Sequence, residues 1–304
     1  QRVFQQPARM PGLGRALISC NTGGCPVPGA GTPGLGCPGF LADSVFKLAA
    51  KDMFATDKLV YIQMQKTGCT HIARLLSELL DGEQIGKHNP ATPEQLADPG
   101  TRFVSSIRNP WDWYLSLWSY GVQGKGGLQR HVTRKRIRPA LKKTFRNPKA
   151  GWPELRSELR KDAAAWRAAY DRKDNVEAFR QWLRLVHDPA NAEFIGEGYE
   201  DSAITEFCGF MTYRYLILCC RDTHLLEEPG AIAGPADLEA FDRRHCYIDD
   251  FIRQELLESD FCDVVDKVRP LTGEQRARVF SSGKTNDSER ALSIGDFYDQ
   301  ASID

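Results

Sequence analysis

The chain has 304 residues, 41% of them hydrophobic, enough to bury a substantial core in one large domain or two small ones. Its 40 Lys and Arg balance 40 Asp and Glu, so no global field draws it to nucleic acid or to a membrane, and any anion site must be built locally. No apolar run approaches the ~20 residues of a membrane span, so a soluble chain without a transmembrane segment is expected.

Residues 1–10 lack the charged start and continuous apolar stretch of a secretory signal. The nine cysteines are odd in number and show neither a C-x-x-C pair nor a framework spacing, which points to reduced thiols in a cytoplasmic compartment. Cys20, Cys25 and Cys37 share a Gly/Pro-rich stretch without nearby His, so a metal knuckle or local disulfide there is the lesser reading. Between residues 21 and 40, seven Gly and four Pro favour loop or extended coil. The chain therefore divides into an N-terminal segment, residues 1–43, and a folded domain, residues 44–304.

Leu59-Val60-Tyr61-Ile62-Gln63-Met64 is a short apolar, β-rich run that predicts a buried strand. A polar turn follows at residues 65–70. Ile72, Leu75, Leu76, Leu79 and Leu80 then predict a helix over residues 71–80 that stops at Asp81-Gly82. The same order returns at Arg102-Phe103-Val104-Ser105-Ser106-Ile107, which leads through Arg108-Asn109-Pro110 into an aromatic-rich helix over residues 111–120, with Pro110 suited to its first turn. In that helix Trp111, Trp113, Tyr114, Trp118 and Tyr120 read mostly as core, with one or two available to line an adenine or acceptor pocket.

Residues 130–149 hold nine Lys or Arg and no acidic residue, which reads as a solvated helix face or lid, or as a rim attracting an anionic acceptor such as an acidic or sulfated glycan. Residues 154–185 predict helix, with Phe179, Trp182, Leu183 and Val186 on one face. Residues 215–218 and 250–253 read as further strands, and residues 207–215 as an aromatic stretch near an acceptor. Alternating strands and helices predict an α/β fold of three layers, a mainly parallel central sheet flanked by helices. No internal repeat has a fixed period.

A strand that runs through a short turn into a helix aims backbone N–H groups and the positive helix end at one spot, which suits phosphate or sulfate. In the turn at residues 65–70, Gly68 permits close backbone approach, Lys66 brings a mobile charge, and Thr67 and Thr70 bring hydroxyls. A Lys/Thr/Gly turn by itself is also a common helix cap. A nucleotide-kinase loop would need G-x-x-x-x-G-K-[ST], yet no glycine stands among Ile62, Gln63, Met64 and Gln65, and Arg278 occupies the first glycine position before Gly283-Lys284-Thr285.

Gln65-Lys66-Thr67-Gly68-Cys69-Thr70 resembles the 5′-phosphosulfate loop of sulfotransferases that use 3′-phosphoadenosine 5′-phosphosulfate (PAPS). Residues 103–116, from Phe103 through Arg108-Asn109-Pro110 to Ser116, resemble the family's 3′-phosphate segment. Residues 249–261 are similar to its late strand and acidic turn, and residues 284–290 with Phe297-Tyr298-Asp299 are similar to the tail of bacterial and carbohydrate-type members. The likeness runs from about residue 58 to residue 299, without an alignable middle between residues 121 and 246.

The resemblance implies a P-loop-like sulfotransferase fold and transfer of a sulfuryl group from PAPS to a hydroxyl or amine, without a metal. It implies that Lys66 contacts the bridging oxygen and the sulfuryl group, that the backbone of Thr67, Gly68, Cys69 and Thr70 with the Thr70 hydroxyl holds the 5′-phosphate, and that Arg108 and Ser116 bind the 3′-phosphate. Lys284 and Arg290 would add charge in the family's late cofactor-closing segment. Gln65 replaces the family's usual proline and Cys69 its usual Ser or Thr.

The reaction also needs a base. His88, after the first helix, is the first choice because an imidazole of ordinary pKa, ~6.5, accepts a proton at neutral pH; His71, beside the anion turn, is the second and Glu83 the third. The acceptor is an anionic glycan or a small molecule. Two rivals remain: a nucleotide-dependent P-loop kinase, and a non-catalytic anion or glycan reader on the same fold.

Overall fold

The computed structural model describes residues 53–85, 88–283 and 292–300. The N-terminal segment with Cys20, Cys25 and Cys37, the boundary expected at residue 44, and Lys284 and Arg290 all lie outside the described residues.

Five strands make one open sheet: β1 (Phe54–Ala55), β2 (Leu59–Ile62), β3 (Glu83–Gln84), β4 (Arg102–Ile107) and β5 (Asp250–Arg253), in the order β3-β1-β2-β4-β5. The pairs β2/β4 and β4/β5 are parallel, but β1 runs antiparallel to β2 and β3, so the sheet is mixed and not mainly parallel. The turn after β1 is the cause. Thr56 N–H donates to Leu59 O at 2.8 Å and its Oγ1 accepts Leu59 N–H at 2.9 Å, folding β1 straight back on β2, a connection only antiparallel strands can use.

In chain order the helices are α1 (Cys69–Leu79), α2 (Pro93–Ala97), α3 (Pro110–Val122), α4 (Gly127–Val132), α5 (Ile137–Arg146), α6 (Pro148–Arg160) and α7 (Ala163–Ala168). There follow α8 (Val176–His187), α9 (Ala192–Ile195), α10 (Phe210–Cys219), α11 (Pro235–His245), α12 (Leu257–Asp266), α13 (Gly273–Ser281) and α14 (Ile294–Phe297).

Alternation along the strands separates two cores. Val60, Ile62 and Phe103 face a large cluster with Trp113, Trp118, Phe179, Trp182 and Leu216, while Leu59, Tyr61 and Val104 face a smaller one with Ile72, Leu75, Phe261 and Val265. Helices α3, α8 and α10 thus cover one face and α1 and α12 the other, giving three layers. Burying side chains of this size is worth about 1.5–3 kcal/mol each, so both faces contribute heavily to stability. None of the described helices is long and apolar enough to cross a membrane.

Two expectations are corrected. Residues 215–218 belong to helix α10, whose residues are buried nearly all round, including Tyr213, Arg214, Tyr215, Leu216 and Leu218; four apolar residues in a row carry no period that separates buried helix from strand. Residues 154–185 are not one helix but parts of α6, α7 and α8. The breaks fall where Asp162 Oδ1 accepts Ala164 and Ala165 N–H at 3.1 and 3.0 Å, and where Asn175 Oδ1 accepts Ala178 N–H at 3.1 Å, each starting a new helix.

The junction of α6 and α7 buries an ion pair. Lys161 Nζ lies 2.9 Å from Glu158 Oε1 and donates to His131 O at 3.1 Å, while Glu158 Oε2 accepts Arg136 N–H at 2.7 Å. Lys161→Met strands the buried carboxylate, so unfolding free energy in urea should fall by about 3–5 kcal/mol. Lys161→Met with Glu158→Gln, which removes the charge but keeps an acceptor for Arg136, should recover much of that loss.

Candidate active site at the C-terminal edge of β2 and β4

Parallel pairing of β2 with β4 places Ile62 opposite Ser105, so the turns that follow both strands leave the sheet at the same edge. After β2 the chain turns through Lys66 (φ 65°) and Gly68 (φ 83°), both left-handed, and enters α1 at Cys69. Glycine is required at position 68, where a Cβ would also sit 3.0 Å from Leu257 Cδ1. No side chain caps α1 and its first turn holds no acidic residue, so the positive end of an 11-residue helix faces the turn.

A buried hydroxyl relay holds this turn. Thr67 Oγ1 can only donate to Met64 O, at 2.6 Å; Ser106 Oγ must then donate to Thr67 Oγ1, at 2.6 Å, and Tyr61 OH to Ser106 Oγ, at 2.7 Å. Burial pushes the Tyr61 phenol well above its ordinary pKa, which keeps its proton in place. From α3, Trp113 Nε1–H donates to Gln65 O at 2.6 Å, and from the end of β4, Arg108 Nη1 donates to Lys66 O at 3.1 Å. Rigidity that a proline would lend at position 65 is supplied by these contacts to the carbonyls.

Lys66 is half-buried, with Nζ 4.1 Å from the centre of the Tyr120 ring. Its pKa falls to about 8, chiefly through burial and then through repulsion from Arg108, with Lys125 adding to it. Arg108 Nη2 lies 3.4 Å from Asp112 Oδ1. Asn109 starts α3, its Oδ1 accepting Trp111 N–H at 3.0 Å, while its own N–H donates to Glu255 Oε1 at 2.6 Å. Asp112, Ser116 and Tyr120 are spaced four apart on α3 and share a side of it. Since Asp112 meets Arg108 and Tyr120 meets Lys66, the half-buried Ser116 stands between the two cations' contacts on that stripe.

The other expected residues divide. Thr70 is exposed on the first turn of α1, with its hydroxyl available at the helix start. The Thr67 side chain is spent inside the relay, and Cys69 is buried in the smaller core, so these two can serve an anion through backbone N–H but not as the hydroxyl donors expected of such a loop. His88 (φ 68°) comes to the turn: its Nδ1 lies 2.8 Å from Gln63 O. A carbonyl only accepts, so Nδ1 carries the proton and Nε2 keeps a lone pair. His71 directs its ring nitrogens to Arg74 Nη2 at 3.3 Å and Ser282 Oγ at 3.5 Å, and burial followed by Arg74 lowers its pKa, which leaves it neutral at pH 7. Glu83 lies exposed on the edge strand β3.

Sequence reading did not single out Asp112, Glu255 or the Trp113 indole. The i, i+4, i+8 spacing of Asp112, Ser116 and Tyr120 was the available signal. The similar tail is structural: Phe297 packs on Trp118 and Phe179, Tyr298 OH donates to Trp111 O at 2.7 Å, and Asp299 lies 3.3 Å from Arg180. Together the two turns form a corner with two mostly buried cations, a helix start and one carboxylate, suited to an extended polyanion. No protein-family model, curated protein or solved structure matches the chain.

With its pKa at about 8, Lys66 is charged at pH 6 and half neutral at pH 8. A bound anion favours the ammonium, so binding should take up about half a proton near pH 8 and almost none at pH 6. Sulfate, which does not itself titrate there, is the probe: its affinity should fall as pH rises through 8, and proton uptake followed with an indicator dye should vanish in Lys66→Met.

Proposed function

We propose that the chain is a sulfotransferase that moves a sulfuryl group from PAPS to a hydroxyl or amine of an acceptor. The observation that carries the reading is the bond from Arg108 to the Lys66 carbonyl, which joins the two corners that resemble the family's 5′- and 3′-phosphate sites. A doubly phosphorylated adenosine needs two anion sites held at fixed separation, and these two are held by one sheet edge.

In this reading Lys66 and the start of α1 meet the 5′-phosphosulfate, with Thr70 adding a hydroxyl, and Arg108 and Ser116 take the 3′-phosphate. The donor supplies an activated sulfur–oxygen bond. His88 Nε2 receives the acceptor's proton as the new bond to sulfur forms, and Lys66 with the helix start offsets the charge left on the departing phosphate as the old bond breaks. Positioning and charge stabilisation carry the catalysis.

The deciding experiment compares adenosine 3′,5′-bisphosphate with ATP and Mg²⁺ by calorimetry, then follows labelled sulfuryl transfer to panels of acceptors. Lys66→Ala should lower turnover by about 10²–10³-fold while nucleotide affinity falls only modestly. Arg108→Ala should weaken the 3′-phosphorylated nucleotide by about 10–100-fold and adenosine 5′-phosphosulfate much less. A preference for ATP would mark a kinase, and tight bisphosphate binding without transfer to any acceptor would mark a non-catalytic reader.

A further inference from the structure

The basic segment at residues 130–149 leads into a helical hairpin made of α5 and α6. Asn147 joins the two helices, and its Oδ1 accepts Ala150 N–H at 3.3 Å to start α6. Gly151 lets the helices touch backbone to backbone, since a Cβ there would fall 2.2 Å from Thr144 N. Ala140 and Leu155 bury the inner side, and the Glu158–Lys161 pair fixes the base.

The outer side is unlike any other part of the described surface. Leu141, Phe145, Trp152 and Leu159 are 42, 81, 62 and 55% exposed. At about 100° per residue, Leu141 and Phe145 fall on one flank of α5, and Trp152 and Leu159 fall on the matching flank of antiparallel α6. The Lys143–Glu154 pair, at 2.7 Å, marks the opposite flank. Arg138, Lys142, Lys149 and Arg156 stand exposed around the apolar residues. Residues 130–160 hold eleven Lys and Arg against two Glu, in a chain whose charges otherwise balance.

We propose that this hairpin docks the protein on an anionic lipid bilayer, with Phe145 and Trp152 entering the headgroup region and the surrounding Lys and Arg resting on lipid phosphates. Aromatic and aliphatic side chains inside a basic rim match a surface that is apolar below and negative above. A second copy of the chain fits poorly, because two such flanks would set like charges face to face. A polyanionic glycan would satisfy the rim but would leave most of Phe145 in water.

The test uses the full chain with phosphatidylcholine vesicles, with and without phosphatidylserine. All six tryptophans lie among the described residues: four are buried, Trp111 is half-buried, and Trp152 is exposed, so Trp152 reports insertion. Sedimentation should show binding only to vesicles containing phosphatidylserine, with a blue shift of emission and quenching by brominated acyl chains. Trp152→Phe should abolish the shift while binding persists. Phe145→Ser with Trp152→Ser should weaken binding at least about tenfold, and Arg138→Glu or Lys142→Glu by about fivefold or more each, without moving the thermal midpoint. No binding to either vesicle overturns the proposal. So does binding without a Trp152 shift, and so does a preference for a sulfated polysaccharide that Phe145→Ser leaves untouched.

Discussion

Parallel strands deliver their following turns to the same edge of a sheet, and everything functional in this chain follows from β2 and β4 being such neighbours. The Arg108 guanidinium reaches the Lys66 carbonyl only because Ile62 pairs with Ser105 and both strands end together. That bond sets two cations close to each other in a partly dehydrated corner, and the depressed pKa of Lys66 measures the discomfort. Left-handed backbone at Lys66, unusual outside glycine, persists because the carbonyls of Met64, Gln65 and Lys66 are each gripped from elsewhere, by Thr67, Trp113 and Arg108.

Residues 249–261 make no part of the anion corner but explain its stiffness. Asp249 Oδ2 accepts Phe103 N–H at 2.7 Å and Asp250 pairs with Arg102 and Lys267, which locks β5 and α12 to the start of β4. Arg253 makes a two-pronged contact with Asp260 at 2.7 and 2.8 Å, tying the end of β5 to α12. From between them Glu255 holds Asn109 N–H and Leu257 closes over Gly68. One short segment therefore braces both turns, so its charged residues are best understood as framework and not as chemistry.

Much of this was legible in the sequence where the signal was local. The bounds of β4 match the expected strand because a β-rich run is closed by Arg-Asn-Pro, and Pro110 occupies the first position of α3. Hydrophobic spacing likewise found α1 to within two residues. Information failed where it was three-dimensional. A helix buried on all sides, such as α10, offers no polar face to set its period, and the antiparallel edge strands β1 and β3 are two residues each. In the turn, composition offered three candidate side chains, Thr67, Cys69 and Thr70, and only packing determines that the first two point inward and the third outward. Tyr120 meets Lys66 across the fold, a contact that spacing along α3 hints at but cannot pair.

Net neutrality conceals two unlike concentrations of positive charge. On the hairpin the charges are exposed, well hydrated and cheap to maintain, and they act only by long-range attraction that salt screens. At the corner Lys66 and Arg108 are withdrawn from water, with Asp112 as a partial counterion and the Tyr120 ring face as a weak substitute for an anion. Such an arrangement is less stable empty than filled, because an entering anion removes the repulsion between two cations as well as adding its own attraction. Affinity for a polyanion at this edge is therefore built into the unliganded fold, and the relay from Tyr61 to Met64 prevents the turn from relaxing away from it.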